Sequence, residues 1–215
     1  MALARGAPKG DGVTLIVDWD GTVTVEDTLI VALREFGNWQ VYLDAAAALK
    51  RGEITLHEEI RRDAESINAP IGEVTDWLVD NLELRPGLHE LAEAHRPIIV
   101  SSNFRQLIEP ILDREGLELE VRANEVEWHP EGWRATFRNG ETCGTCGEPC
   151  KRADLPQNGT LVYVGDGYSD RCAAQAADRI FARDGLARYL AARGVPFEPF
   201  DDLDDVGRAL AASPS

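Results

Sequence analysis

Two carboxylates one residue apart, Asp18 and Asp20, close an apolar run and are followed by Gly21-Thr22. Where a chain leaves a strand, the strict alternation of side chains ends, so both acids can turn toward one site. Crowded acids repel, and one of them holds its proton unless a cation intervenes. A hard divalent ion removes that cost, and Mg²⁺ suits one or two carboxylates, waters and a phosphate. A second pair, Asp166 and Asp170, stands in Gly165-Asp166-Gly167-Tyr168-Ser169-Asp170, again after an apolar run. Its glycines permit close backbone approach to a ligand. Asp170 falls in the first turn of the following helix and can face the same way as Asp166. Alone, either motif also reads as an ordinary turn; the two together, with Ser and Lys signals between them, point to one metal-assisted site.

A cysteine cluster, Cys143-x-x-Cys146-x-x-x-Cys150, lies directly before Lys151. Three thiols so close suit tetrahedral Zn²⁺, the fourth ligand coming from His129 or from Cys172. The alternatives are reduced thiols in a Gly-rich loop or one labile disulfide. Cys172, on an Ala-rich segment, also reads as a small core residue.

These groups need elements to position them. Val13–Val17, Pro97–Val100, Thr160–Val164 and Arg179–Ala182 are short apolar runs of the kind buried on both faces in a parallel sheet. Helical stripes separate them: Leu88, Leu91 and Ala92; Phe104, Leu107, Ile108, Ile111 and Leu112; Ala173, Ala176 and Ala177; Leu186, Tyr189 and Leu190. Strands alternating with helices predict a doubly wound α/β sheet, residues 10–26 and 86–212, with ligands beyond the carboxyl ends of the strands. Residues 27–85 interrupt the alternation with about four helices, read as an inserted α-helical cap. Thr55-Leu56-His57-Glu58 opens one of them as a capping box, with His57 exposed.

Within residues 120–150, Glu125–Trp128 and Trp133–Phe137 flank His129-Pro130-Glu131-Gly132, a hairpin with Trp128 and Trp133 as cross-strand partners, ahead of the Cys-rich loop. Trp19 should point away from the acids into the packing of the sheet. The run Asp201-Asp202-Leu203-Asp204-Asp205 reads as an acidic helix start rather than a metal site.

The 215 residues carry 22 basic and 38 acidic side chains, a formal net charge of −16. Such a surface repels nucleic acid and anionic lipid, so neither is an expected partner. An anionic substrate needs local positive charge from a metal, a Lys or backbone N–H groups. Met1–Gly12 reads as a short disordered lead and Ser213-Pro214-Ser215 as a frayed tail. No run approaches the ~18 consecutive apolar residues of a membrane span. The expectation is a cytoplasmic protein, whose cysteines are then thiols or metal ligands. Nothing in the sequence specifies an oligomeric state.

Asp18-Trp19-Asp20-Gly21-Thr22-Val23, Ser101 after Ile98-Ile99-Val100, Lys151, and Gly165–Asp170 resemble, in order, the four motifs of the haloacid-dehalogenase superfamily. The helical insert and Ala123-Asn124-Glu125-Val126 resemble its phosphoserine-phosphatase-like branch. The Asp-Gly-Thr-Val-Thr-x-x-Asp form of the first motif is similar to that of methionine-salvage phosphatases. The resemblance implies a Rossmann-like parallel core and a Mg-dependent phosphatase for a small phosphorylated metabolite. Candidate substrates are phosphoserine, a methylthio-ketopentenyl phosphate or a phosphorylated amino alcohol.

The same resemblance implies residue roles. Asp18 would be the nucleophile that becomes an aspartyl-phosphate, and Asp20 the general acid and then base. The Asp18 and Asp166 side chains and the Asp20 carbonyl would hold the metal. Asp170 would orient Lys151 or a metal-bound water. Ser101, with Ser102 as the other choice, and Lys151, in competition with Arg152, would bind the phosphoryl oxygens. Asp27 is either a contact to a substrate amino group or a helix N-terminal acid. Ser102-Asn103 stands where many relatives have Gly-Gly, which changes the expected shape of the phosphate pocket. Two other classes fit parts of the pattern: a phosphoacceptor module without turnover, and a metal-stabilised binding module with a vestigial site.

Overall fold

The structure, a computed structural model, describes residues 12–212. The readings of the lead before Gly12 and of the tail after Ala212 lie outside the described residues. Among those residues, no helix is long and apolar enough to cross a membrane.

The central strand, β1 (Val13–Val17), is buried on both faces toward its end. Successive side chains point opposite ways, so Leu15 and Val17 join one core layer while Ile16 joins the other. Parallel neighbours flank it, β2 (Ile98–Phe104) on one side and β5 (Thr160–Gly165) on the other. Outward from β2 lie β3 (Val121–Glu127) and the antiparallel β4 (Arg134–Thr136); outward from β5 lie β6 (Arg179–Ala182) and β7 (Glu198–Pro199). The order β4-β3-β2-β1-β5-β6-β7 winds outward in both directions from β1. The carboxyl end of β1 is therefore a switch point, where such sheets open a crevice.

Between β1 and β2 the chain forms α1 (Thr28–Phe36), α2 (Trp39–Lys50), α3 (Leu56–Glu65) and α4 (Ile71–Asn81). Asp27, Asn38 and Thr55 cap the first three, each side chain accepting a backbone N–H of the first turn. The insert leaves and returns through one narrow neck: Val25 N–H donates to the Glu83 carbonyl at 3.0 Å and Arg85 N–H to that of Val23 at 2.8 Å.

The core helices are α5 (Leu88–His95), α6 (Arg105–Arg114), α7 (Arg171–Ala174), α8 (Asp184–Ala191) and α9 (Leu203–Ala211), with a 3₁₀ turn at Lys151–Asp154. Pro110, inside α6, has no N–H for the Gln106 carbonyl, which instead takes the Thr75 hydroxyl of α4 at 3.3 Å. The insert is thereby fastened to the core. A reciprocal capping box between Asp202 and Asp205 opens α9, so the acidic run is the expected helix start.

Several elements differ from the reading of the sequence. β2 does not stop before Ser101 but runs to Phe104 through an irregularity in its pairing. β3 begins four residues before Glu125, at Val121, and pairs parallel with β2, so the hairpin is the edge of the main sheet. The expected helix through Ala177 ends at Ala174, because the chain must turn back for Asp178 N–H to reach the Leu161 carbonyl at 2.9 Å. Trp128 and Trp133 are not partners: Trp128 is exposed, while Trp133 is fully buried and its indole donates to the Ala69 carbonyl at 2.8 Å. A buried indole N–H needs an acceptor, and the insert supplies it. Trp19 does turn away from the acids, donating to the Thr28 hydroxyl at 3.0 Å.

Candidate active site

Asp18 follows β1 and keeps the ladder going, its N–H donating to the Val164 carbonyl at 2.9 Å. Its side chain is buried, and Oδ1 accepts the Trp19 N–H at 2.6 Å and the Lys151 ammonium. Burial, and then the facing Asp170 carboxylate, push the Asp18 acid well above its ordinary range, against the pull of Lys151. Lys151 is buried at the start of the 3₁₀ turn and also donates to Asp170 Oδ1 at 2.8 Å. Burial alone would lower the ammonium, but Asp170 and Asp18 outweigh it and hold Lys151 above the usual lysine range.

Asp170 is fully taken up by donors. Oδ1 receives Lys151 and, at 2.7 Å, the Tyr163 hydroxyl; Oδ2 receives the N–H groups of Asp166 at 3.1 Å and Gly167 at 2.9 Å. Burial alone would raise this acid, yet Lys151 and these bonds keep it below the usual carboxylate range. The Asp166 side chain instead accepts the Thr22 hydroxyl, at 3.1 Å, and burial followed by the Asp170 charge raises it to about 7. The carboxylate oxygens of Asp18, Asp166 and Asp170 include a set that lies within 4.8 Å of one another. Crowded hard oxygens, with Asp18 and Asp166 raised by burial and then by the Asp170 charge, are a donor set that fits a divalent cation.

Gly21 lets Asp166 approach. With φ at +73° it adopts a conformation other residues avoid, and a Cβ there would lie 2.5 Å from Asp166 Oδ2. Its carbonyl is gripped by the Arg85 guanidinium, two donors at 3.2 Å each, from the far side of the insert's neck.

Asp20 sits between core and insert. Its Oδ1 accepts the Thr28 N–H at 2.8 Å and the Asn103 amide at 3.2 Å, and its Oδ2 accepts the Ser101 hydroxyl at 3.3 Å. The Ser101 oxygen in turn accepts the Asn103 N–H at 2.9 Å. Ser102 opens onto the cavity, while its carbonyl is held by Asn124 at 2.6 Å. Asp27 is the helix N-terminal acid, capping α1 by accepting the Ile30 N–H at 3.0 Å, and it also lines the cavity. Burial and the Asp20 charge raise it well above its ordinary value.

These residues enclose a cavity of about 210 Å³, with Asp18, Asp20, Asp166 and Lys151 at its floor. Its insert side carries Asp27, Tyr42, Glu59 and Asp63. Asp63 is buried, its Oδ1 has no hydrogen-bond partner among the described residues, and burial together with Glu59 raises it to about 7. A neighbouring cavity of about 400 Å³ shares Ser102 and Lys151 and extends past His57, Arg171 and Tyr189. His57 is not simply exposed as expected: its ring stacks on Phe137, centroids 4.1 Å apart, because α3 packs against the β3–β4 hairpin.

Of the cysteines, Cys143, Cys146, Cys150 and Cys172 have sulfurs within 4.8 Å of one another, and all four are free thiols. His129 is not among them; its Nδ1 accepts the Glu131 N–H at 3.2 Å within the hairpin turn, and Cys172 takes the place considered for it. Cys172 is thus buried, but in the cluster rather than as plain core. Sequence reading assigned Tyr163, Arg85 and Asp63 no role, and marked Asn103 for the shape of the pocket without its bond to Asp20. Tyr163 was visible as a hydroxyl between the apolar Val162 and Val164, and Asn103 as the polar replacement for glycine. Arg85 and Asp63 carried no local signal, since both act across the insert.

Residues 15–175 match the family model described as haloacid dehalogenase-like hydrolase. A protein of Microcystis aeruginosa named 2-hydroxy-3-keto-5-methylthiopentenyl-1-phosphate phosphatase is 30% identical, over 90% of this chain and 95% of its own length. One of the same name from Geobacillus kaustophilus is 27% identical, over 92% and 95%. Among solved structures, phosphoserine phosphatase from T. onnurineus superposes with a TM-score of 0.65 at 19% identity, over 98% of this chain and 100% of that one, a likeness of fold.

Proposed function

Because this chain belongs to the haloacid dehalogenase-like hydrolase family, we propose that it hydrolyses a small phosphomonoester through a phosphorylated Asp18. The convergence of Asp18, Asp20, Lys151 and Asp166 on one cavity at the switch point of the sheet carries this reading. Asp18, positioned on Oδ1 by Trp19 N–H and Lys151, attacks phosphorus. Asp20 gives a proton to the departing oxygen and later takes one from water. Lys151, charged at any working pH, neutralises the incoming phosphoryl oxygens, with a Ser101 or Ser102 hydroxyl beside it. Asp170, its oxygens occupied by four donors, positions Lys151 rather than binding a metal directly. Asp18, Asp166 and the Asp20 carbonyl would hold Mg²⁺, which supplies positive charge for the phosphate in transfer. The insert acts as a cap that excludes bulk water.

The substrate's other end meets Asp27, Glu59 and Asp63. A buried carboxyl oxygen, Asp63 Oδ1, without a partner among the described residues and beside two further acids favours a phosphoester that carries a cationic group, such as a phosphorylated amino alcohol or phosphoserine. A second reading, a methylthio-ketopentenyl phosphate, is favoured by the names of the two relatives.

Steady phosphate release from para-nitrophenyl phosphate with Mg²⁺, abolished in Asp18→Asn, tests the reaction. A folded protein without turnover would reject it and leave a phosphoacceptor or binding module. Comparing kcat/KM for phosphoethanolamine, phosphoserine and the methylthio keto-enol phosphate decides the substrate. A clear preference for the last would overturn the cationic assignment.

A further inference from the structure

The four-cysteine cluster borders the phosphate site, Cys146, Cys150 and Cys172 lining the neighbouring cavity beside Ser101 and Lys151, but nothing in the proposed reaction uses it. Its sulfurs, within 4.8 Å of one another, include a Cys143–Cys172 pair at 3.8 Å. A disulfide needs sulfurs about 2 Å apart, so this spacing is not one. Zinc–thiolate bonds of about 2.3 Å in a tetrahedron put the ligand sulfurs about 3.8 Å apart, the spacing seen here.

The backbone is shaped for the same purpose. Cys143-Gly144-Thr145-Cys146-Gly147 folds into a tight knuckle in which Gly147 N–H donates to the Cys143 carbonyl at 2.9 Å, with Gly147 at φ +80°. The Thr145 N–H points at the Cys143 sulfur at 3.4 Å, a donor that favours a thiolate over a thiol. Cys143 N–H closes the loop onto the Glu148 carbonyl at 3.1 Å. Four thiolates carry more negative charge than one zinc ion cancels, and Arg152, whose guanidinium donates to the Cys172 carbonyl at 3.1 Å, stands beside them.

We propose that Cys143, Cys146, Cys150 and Cys172 form a closed, structural Zn²⁺ site. Three ligands come from one loop, and the fourth comes from α7 across the site. Cys150 directly precedes Lys151, and Cys172 lies two residues after Asp170. The ion therefore clamps the loop that delivers Lys151 to the helix that begins at Asp170. That loop has no regular secondary structure between β4 and the 3₁₀ turn, so a metal cross-link supplies order that backbone pairing does not. The proposal does not depend on the phosphatase reading.

Metal analysis of the purified full chain, expressed with zinc present, should find about one zinc per chain. Replacing zinc by Co²⁺ should give the intense near-ultraviolet thiolate-to-cobalt band and the visible bands of a tetrahedral four-sulfur site. Titration with a mercurial should release the zinc with about four thiols consumed. Cys172→Ser should lose stoichiometric zinc and weaken the charge-transfer band, whereas His129→Ala should change neither. If Cys172→Ser fails to fold, the Co²⁺ spectrum of the unmodified chain still decides. Zinc-free protein that takes up no Co²⁺, a spectrum without thiolate bands, or full zinc retention in Cys172→Ser would each overturn the site.

Discussion

Lys151 and Asp170 meet at 2.8 Å with both side chains out of solvent, and Asp170 reaches back through Oδ2 to the N–H groups of Asp166 and Gly167. One carboxylate thus sets the place of the ammonium and the shape of the loop that carries Asp166. Removing the ammonium strands two buried acids, Asp18 and Asp170. Lys151→Met should abolish turnover and lower stability by about 3 to 5 kcal/mol, the usual cost of breaking a buried pair. Adding Asp170→Asn should restore part of the stability and none of the activity. Denaturant unfolding of both variants checks this; equal stability of Lys151→Met and the parent chain would refute it.

Gly21 is a test of close approach. A methyl group there meets Asp166 Oδ2 at 2.5 Å on a backbone at φ +73°. Gly21→Ala should move Asp166 or the loop by a fraction of an ångström and reduce kcat by about a hundredfold, with an unchanged far-ultraviolet circular dichroism spectrum. Full activity in this variant would mean that Asp166 can shift without consequence.

Asn103 bonds Asp20 directly, at 3.2 Å, and receives no support from the family motif. Asn103→Ala should lower kcat with little change in KM, by less than the roughly 10²- to 10⁴-fold expected for Asp20→Asn. A change confined to KM would place Asn103 with substrate binding instead.

Asp63 makes a pH prediction. Its folded value of about 7 exceeds the unfolded one, so the folded chain binds the extra proton between these values. The associated stability is fully present below the unfolded value, near pH 4, and is lost as pH rises through about 7. Asp63→Asn removes this dependence, so its thermal stability should gain on the parent chain from pH 5 to pH 8. Glu59, the neighbouring acid, is common to both proteins and does not produce the difference. A gap that stays constant across that range would contradict the assignment.

Much of this was legible beforehand because it is encoded locally. Apolar runs ending in acids marked three parallel strands, helical periodicity marked the insert, and Asp27 and Thr55 announced their caps. The order of motifs identified the acids, Ser101 and Lys151 as one constellation. What escaped was non-local. Trp133 and Asn103 find their partners, Ala69 and Asp20, across elements far apart in sequence, so no window of residues reveals them. His129 stood near the cysteines in sequence, yet the hairpin carries it away, whereas α7 brings Cys172 in.

By itself, then, the sequence determined the fold class and which side chains could do chemistry, since strand and helix patterns and residue types are properties of short stretches. Only the tertiary structure decided their division of labour. The parallel register of β1 with β2 and β5 sets Val17 beside Ile99 and Val164, so that Asp18, Ser101 and Asp166 all emerge at the same end of the sheet. The docking of the 3₁₀ turn against α7 joins Lys151 to Asp170 and closes the thiol cluster. The return of the insert puts Asp63 over the cavity. Each of these depends on pairing between distant segments, in which one residue of slippage would turn the same side chains elsewhere.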